Sequence, residues 1–220
     1  MKDINDRVQQ WAESRGAIIP VNKAELLHIC RKRFCCPTTL VINDSQLQYK
    51  TQMRILGVVF SKNLSWNNHV KKLIIKISKI NNLLKLICSR KKGPHIETAL
   101  DICRALVYGL IQHGISIYGW TSKQNIHKLN ASLNHCFRTA SGLLQSTPID
   151  SLRIETRSSN FQSVLEKISV NLLARSITDP EEGLHQNFWY YINLSSSKHK
   201  CSIQSIITLL KSHNILIPLK

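Results

Sequence analysis

The stretch Ser65–Ile87, SWNNHVKKLIIKISKINNLLKLI, decides how the helical part of this chain begins. Its apolar side chains recur at alternating steps of four and three residues, which is the period of an amphipathic helix. The members of this stripe are Trp66, Val70, Leu73, Ile77, Ile80, Leu84 and Ile87. Ser65 has a hydroxyl group that suits the N-cap position. The spacing therefore predicts a helix of about six turns that directs one face at a core.

The other faces of this predicted helix are basic. Its lysines lie off the apolar stripe, and a further basic run follows before Gly93-Pro94, which would end the helix. Lysine contacts to phosphate recognise the charge and shape of a duplex without reading its bases. The nucleic-acid-binding candidates are Lys71, Lys72, Lys76, Lys79, Arg90, Lys91 and Lys92.

A basic amphipathic helix also has blander interpretations, namely a solvated face, a membrane surface or a calmodulin-like target. A helix that lies on a membrane would keep its apolar side against lipid. The stripe is instead expected to pack on the helices that follow it, so we expect no membrane partner. The solvated face and the protein target stay open.

The charge of the whole chain agrees with a polyanionic partner. Thirty Lys and Arg stand against 13 Asp and Glu, a formal net charge of +17. The segment 71–146 holds 12 of the basic residues and only 2 acidic ones. A positive field concentrated in one segment raises the local concentration of a polyanion, of which nucleic acid is the commonest.

The sequence before the central helix predicts small β elements and one polar helix. The helix covers residues 3–15, with Ile4, Val8, Trp11 and Ala12 inward and Gly16 as its end. Short apolar runs predict strands. These runs are Leu26–Cys30, Leu40–Ile42 with its return Gln46–Tyr49, and Met53–Phe60, in which Gly57 marks a bulge or a close backbone approach.

The sequence after the central helix predicts further helices. Their ranges are 96–111, 123–141, 147–155 and 161–177, the last with Ser159 as its cap. The expected fold class is therefore α+β, mostly α, with a small antiparallel β element followed by a helical bundle.

Residues for metal chemistry are scarce. Two-metal phosphoryl transfer needs convergent carboxylates, but the chain has no Asp-Asp pair, and only Asp3, Asp6 and Glu13 precede Lys23. The histidine and cysteines in the segment 28–36 lack the spacing of a zinc site. We therefore expect no catalytic residue of this type, no metal site and no cofactor in this chain.

The chain offers no sign of export. It opens on a polar stretch without an apolar signal core, and it lacks a run of about 18 apolar residues. Its seven cysteines are odd in number and scattered, which is typical of reduced, buried thiols. We expect an intracellular protein, nuclear or cytoplasmic and not secreted.

Three stretches together resemble the reverse transcriptases, or RNA-directed DNA polymerases, of non-LTR, Jockey-like retrotransposons. The first, VNKAELL from Val21, is similar to the family's Asn-x-x-Lys-Thr-Glu pattern, with Ala24 in place of Thr. The second is LGVVFSKNLSWNNHV from Leu56, similar to Leu-Gly-Val-x-Phe-Asp-x-x-Leu-x-Trp-x-x-His-Ile, with Ser61 in place of Asp. The third runs in parts from Ala105 to about residue 149, and the likeness covers roughly residues 3–177.

The resemblance implies roles for these stretches. The primer grip, a hairpin that holds the primer end, would be Leu56, Gly57, Val58 and Phe60. The helices after it would be the thumb, which lies along an RNA–DNA or DNA template–primer duplex. Lys23 would be an accessory residue near the triphosphate. Trp66 and His69 are expected to pack the first turn of the thumb rather than to contact substrate.

The resemblance also implies what this chain leaves to others. The fingers, the proximal palm and the Tyr-x-Asp-Asp strand, which hold Mg²⁺ in the intact parent enzyme, would precede Met1 and act as partners. The expected domains are a distal palm with the primer-grip hairpin (1–62), a basic helical thumb (63–146), post-thumb helices (147–192), and a linker with a terminal helix (193–220). This chain alone is expected to be inactive as a polymerase and to hold template–primer. The alternative is a co-opted helical interaction module that binds an acidic protein partner.

Overall fold

A computed structural model of the chain describes residues 2–17, 24–30, 41–42, 45–88 and 93–178. The chain divides into two compact units, Met1–His69 and Val70–Lys220, here called the N-terminal unit and the C-terminal unit. Most described residues are helical, and the strands form small antiparallel pairs, so the predicted α+β, mostly α fold is confirmed. The four domain ranges drawn from the sequence stay predictions.

The described elements are seven helices and four strands, and each of the two small sheets pairs two consecutive strands. In chain order they are α1 (Lys2–Glu13), β1 (Val41–Ile42), β2 (Ser45–Gln46), β3 (Gln52–Ile55), β4 (Val58–Ser61), α2 (Asn67–Ile87), α3 (Ile96–Gln112), α4 (Ile115–Tyr118), α5 (Lys123–Ser141), α6 (Ile149–Thr156) and α7 (Phe161–Thr178).

Helix α1 ends as predicted but buries less than predicted. Gly16 has a φ of +68°, and the amides of Gly16 and Ala17 donate to the carbonyls of Glu13 and Ala12, which is the Schellman arrangement that favours glycine. Ala12 is buried, but Trp11 is 59% exposed and Val8 is exposed as well. The expected inward place of these two side chains is therefore wrong. The Arg15 guanidinium lies 5.2 Å from the centre of the exposed Trp11 ring, which is within the range of a cation–π contact.

The predicted strand Met53–Phe60 is in fact a hairpin. Strands β3 and β4 pair antiparallel, with Met53 opposite Phe60 and Ile55 opposite Val58. The two residues between the strands, Leu56 and Gly57, have φ values of +46° and +89°. Positive φ at both positions is what a two-residue type I′ turn requires, so Gly57 belongs to a turn and not to a bulge.

The other β predictions are confirmed in part. Strands β1 and β2 pair antiparallel, with Val41 opposite Gln46, as the predicted hairpin required, although both strands are shorter than expected. The expected strand Leu26–Cys30 is reduced to one parallel bridge between Leu26 and Tyr49. The Lys50 amide donates to Leu26 and the Cys30 amide donates to Lys62, so this segment is held by isolated hydrogen bonds rather than by a ladder.

Within the N-terminal unit, the first turn of α2 is fastened to strand β4. The buried His69 accepts a hydrogen bond at Nδ1 from the Val59 amide, at 3.2 Å. The Trp66 ring meets the Phe60 ring edge to face, with ring centres 5.4 Å apart. Ser65 Oγ accepts a 3.5 Å hydrogen bond from the Asn67 amide, which is the predicted capping contact. Both Trp66 and His69 therefore have packing roles here.

The apolar stripe of α2 is largely confirmed in the C-terminal unit. Val70, Leu73, Ile77 and Leu84 are buried. At the next position the side chain that is buried is Asn81, while Ile80 is half-buried. In this part of the helix the buried position is therefore residue 81, one residue after the predicted position 80.

The remaining core of the C-terminal unit comes from α3, α4, α5, α6 and α7. The Cys136 thiol of α5 donates to the Ile77 carbonyl of α2 at 3.8 Å, and Tyr118 donates to the Ile111 carbonyl at 2.5 Å. Burial raises the pKa of the Cys103 and Cys136 thiols to about 12. These two cysteines are buried thiols, as predicted, and Cys30 and Cys88 are half-buried thiols.

The start of α7 is held by side chains from two other helices. Asn130 of α5 accepts the Phe161 amide at 2.9 Å, and Asn160 accepts the Ser163 amide at 2.7 Å. The cap is therefore Asn160, and the predicted cap Ser159 is wrong. The backbone of Ser159 is occupied instead by the Tyr108 hydroxyl of α3, which accepts from its amide at 2.7 Å and donates to its carbonyl at 3.1 Å.

A close approach between α4 and α7 depends on Gly119. A Cβ added at this position would lie 2.4 Å from the Ile115 carbonyl oxygen and 2.4 Å from Leu165 Cδ1. Gly109 of α3 is the opposite case, since nothing lies within 4 Å of an added Cβ there.

We expect Gly119→Ala to lower the free energy of unfolding by about 1–3 kcal/mol, because the new methyl group has no space. Gly109→Ala is the matched control and should raise it by about 0.5–1 kcal/mol, because alanine restricts the unfolded chain and favours the helix. Urea denaturation of the two variants measures both changes. Equal stability of the two variants would contradict the close approach.

Candidate nucleic-acid interface

The geometry of α2 places four predicted lysines together. At about 100° per residue, burial of Val70 and Ile77 turns the opposite side of the helix outward. Lys71, Lys72, Lys76 and Lys79 lie on that side and are exposed. They span two turns, about 12 Å along the helix axis. The four lysines therefore form a basic surface on one side of α2.

This surface keeps its positive charge without nearby compensation on its own helix. The sequence of α2 contains no Asp or Glu. Among the described residues, the two ion pairs join Lys50 to Glu25 and Arg104 to Asp101, and neither involves α2. Like charges that share a surface without ion pairs add their fields. An approaching anion would therefore meet the summed field of the four lysines.

Apolar side chains interrupt the basic surface, and sequence reasoning missed them. Ile75 and Leu83 are exposed, and Leu86 is 78% exposed. Their signal was present in the sequence, because each lies off the buried stripe. Phosphate contacts alone do not need them. The outer face of α2 is defined here as Lys71, Lys72, Ile75, Lys76, Lys79, Leu83 and Leu86.

Some predicted site residues lie outside the part of the chain that the structure describes. Lys23, the expected accessory residue, is one of them. The basic run Arg90, Lys91 and Lys92 is another, so its continuity with the outer face of α2 stays a prediction.

The four predicted primer-grip residues occupy two different environments in the N-terminal unit. Leu56 and Gly57 form the hairpin tip, where Leu56 is 89% exposed. Val58 is buried and Phe60 is half-buried against Trp66. The Leu56 side chain is therefore accessible to a ligand, whereas the Val58 side chain is enclosed in the unit. A large apolar side chain in the left-handed region is uncommon and raises the question of a functional role.

Within the described ranges, no group of three or more His, Cys, Asp or Glu side chains converges as a metal site would require. Of the helices in those ranges, none combines the length and the apolar character needed to cross a bilayer.

Comparison of the chain with protein-family models, with curated proteins and with solved structures gives no match.

We expect Leu56→Asn to raise the free energy of unfolding by about 0.5–1 kcal/mol, because Asn-Gly is the preferred pair for a type I′ turn and leucine is strained there. The matched control is Leu86→Asn, which changes another exposed leucine inside helix α2. It should lower stability by a few tenths of a kcal/mol, about the difference in helix propensity. Chemical denaturation distinguishes the two, and a loss of stability in the Leu56 variant would contradict the turn assignment.

Proposed function

We propose that this chain binds a nucleic-acid duplex, an RNA–DNA hybrid or DNA, through the outer face of α2. The observation that carries the proposal is the grouping of Lys71, Lys72, Lys76 and Lys79 on one exposed side of a helix without carboxylates. In the context suggested by the resemblance, the helix is the thumb of a retrotransposon reverse transcriptase and the duplex is template–primer. That context is part of the proposal.

The energetics favour a polyanion with regularly spaced charges. Each phosphate that a lysine neutralises releases condensed counterions, and the logarithm of the affinity then falls with the logarithm of salt concentration by about 0.9 per contact. Four contacts would give a slope of roughly −3 to −4. An affinity of this kind depends on duplex charge and shape and is tolerant of base sequence.

Catalysis is not part of the proposed role. Two-metal phosphoryl transfer needs carboxylates that converge on the ions, and the sequence has no Asp-Asp pair. No step of nucleotide addition is therefore assigned to this chain. Its proposed part is to hold the duplex, while the remainder of a polymerase would supply Mg²⁺ and the reacting groups.

One observation favours a second candidate, an acidic protein partner. Ile75, Leu83 and Leu86 are exposed on the same side of α2 as the lysines, and an amphipathic helix with acidic flanks would cover both kinds of side chain. A duplex would cover the lysines and use the apolar groups less. The two candidates share the same face and differ in which competitor displaces the ligand.

The test combines charge reversal with a matched control. Lys72, Lys76 and Lys79 are all changed to Glu, and we expect hybrid binding at low salt to weaken by roughly a hundredfold or more, with a salt slope smaller by about 3. The control changes Lys123, Lys128 and Lys167 to Glu, because these lysines are also exposed and lie on α5 and α7. Fluorescence anisotropy with a labelled hybrid measures both variants.

Equal losses in the two triple variants would show that only net charge matters and would refute a site on α2. Displacement of bound hybrid by unlabelled hybrid, and not by an acidic amphipathic peptide, supports the nucleic-acid proposal. Absence of hybrid binding with retention of the peptide supports the protein partner instead.

A further inference from the structure

A cleft of about 590 Å³ lies in the C-terminal unit between the start of α3 and the end of α6. The buried side chain of Leu100 contributes to its apolar lining. Two exposed isoleucines also line it, Ile96 from α3 and Ile154, 79% exposed, from α6. Exposed isoleucines beside an open cleft mark a surface that gains free energy when another apolar surface covers it.

The charge of this cleft differs from that of the chain. Three carboxylates line it, those of Glu97, Asp101 and Glu155. The range 93–178 contains only two others, Asp150 and Glu166. Two arginines and His95 complete the polar lining, so with neutral histidine the formal charge of the cleft is −1. In a chain of net charge +17, this is a local minimum of positive charge.

Arg104 connects the two helices that form the wall of the cleft. The guanidinium of Arg104 donates to Asp101 at 2.5 Å and to the Thr156 carbonyl at 2.7 Å, which joins α3 to the end of α6. Among the described residues, Glu97 and Glu155 take part in no ion pair. These two carboxylates are therefore the ones available to a cation brought by a partner.

The other arginine, Arg157, has a strained backbone conformation at the rim of the cleft. Arg157 ends α6 in the left-handed region with a φ of +48°. Its amide donates to the Ile154 carbonyl, and the Ser158 amide donates to the Arg153 carbonyl, in the arrangement that usually ends in glycine. An arginine in the left-handed region carries backbone strain that a glycine at this position would not.

A suitable occupant carries apolar side chains flanked by cations on one helical face. The outer face of α2 has this composition, with Ile75, Leu83 and Leu86 exposed among four lysines. We infer that the cleft between α3 and α6 receives the outer face of α2 from a second copy of this chain. Lysines of one copy then face Glu97 and Glu155 of the other, and the exposed apolar side chains cover Ile96 and Ile154.

Each contact joins the outer face of α2 of one copy to the cleft of another, which closes a two-fold dimer when the contact is reciprocal and extends a row of copies when it is not. It also hides the lysines proposed to bind the duplex. The consequence, which rests on the proposed function, is that duplex binding and self-association exclude each other on α2. Both depend on charge and weaken with salt.

Sedimentation velocity of the full chain at low salt, over a range of concentrations, tests the association. The wild type should sediment faster as its concentration rises. Changing Glu97 and Glu155 to Lys should weaken self-association by roughly tenfold or more, since like charges then face each other. Changing Lys76 and Lys79 to Glu should do the same. An equimolar mixture of these two variants should associate again, because each restores the opposite charge that the other needs.

An independent apolar variant, Ile154→Ser, should weaken self-association without a charge change, and circular dichroism verifies that each variant is folded. A wild type that stays monomeric throughout, or a mixture of charge variants that fails to associate, overturns the inference.

Binding of the hybrid duplex distinguishes a failure of this inference from a failure of the proposed function. The Glu97→Lys, Glu155→Lys variant should still bind the hybrid, and the hybrid should dissociate the wild-type assembly. Hybrid binding without any self-association overturns the inference alone. Self-association without hybrid binding overturns the proposed function alone.

Discussion

The burial of one stripe of α2, formed by Val70, Leu73, Ile77 and Leu84, is the interaction on which the rest of the account depends. A helix has one rotational setting, so packing this stripe into the C-terminal unit determines which side chains face solvent. Burying four aliphatic side chains contributes on the order of 1.5–3 kcal/mol each, whereas exposed lysines contribute little to the fold. The exposure of the outer face of α2 is therefore a consequence of core packing, and its lysines are accessible to a ligand.

The outer face of α2 combines charged and apolar side chains, so the proposed duplex and the proposed second copy of the chain would use the same surface. Lysines attract any dense array of negative charge over a Debye length of about 10 Å at moderate salt. Ile75, Leu83 and Leu86 add short-range apolar contact that a phosphate backbone satisfies only in part. The cleft between α3 and α6 offers both complements, carboxylates and isoleucines. A surface with both kinds of side chain is suited to bind either a duplex or a protein. Salt and the concentrations of the two ligands would determine which one is bound.

Sequence reasoning succeeded where one local period dominated and failed where tertiary context decided. The heptad-like spacing located α2, and Lys123–Ser141 was placed without error because apolar period and Gly142 agreed. Leu56-Gly57 was read as part of a strand because leucine rarely adopts positive φ, so the turn has no strong sequence signal. Trp11 looked inward by spacing, yet spacing says nothing about whether another surface covers it.

The candidate sites show the same division. The lysines of α2 were predictable because position on a helix fixes their common side. The cleft was not, because it needs Glu97 and Glu155 from helices far apart in the chain to meet. Pairs such as Tyr108 with Ser159, or Asn130 with Phe161, likewise join side chain and backbone across distant positions. No pattern within a single helix contains that information.

The most direct measurement of the central claim is a lysine footprint of the full chain. Exposed lysines are acetylated with and without saturating RNA–DNA hybrid, and mass spectrometry reports the reactivity at each position. We predict that Lys72, Lys76 and Lys79 become protected, while Lys123, Lys128 and Lys167, which are also exposed and lie on α5 and α7, keep their reactivity. Bound hybrid with unchanged reactivity on α2 would contradict it.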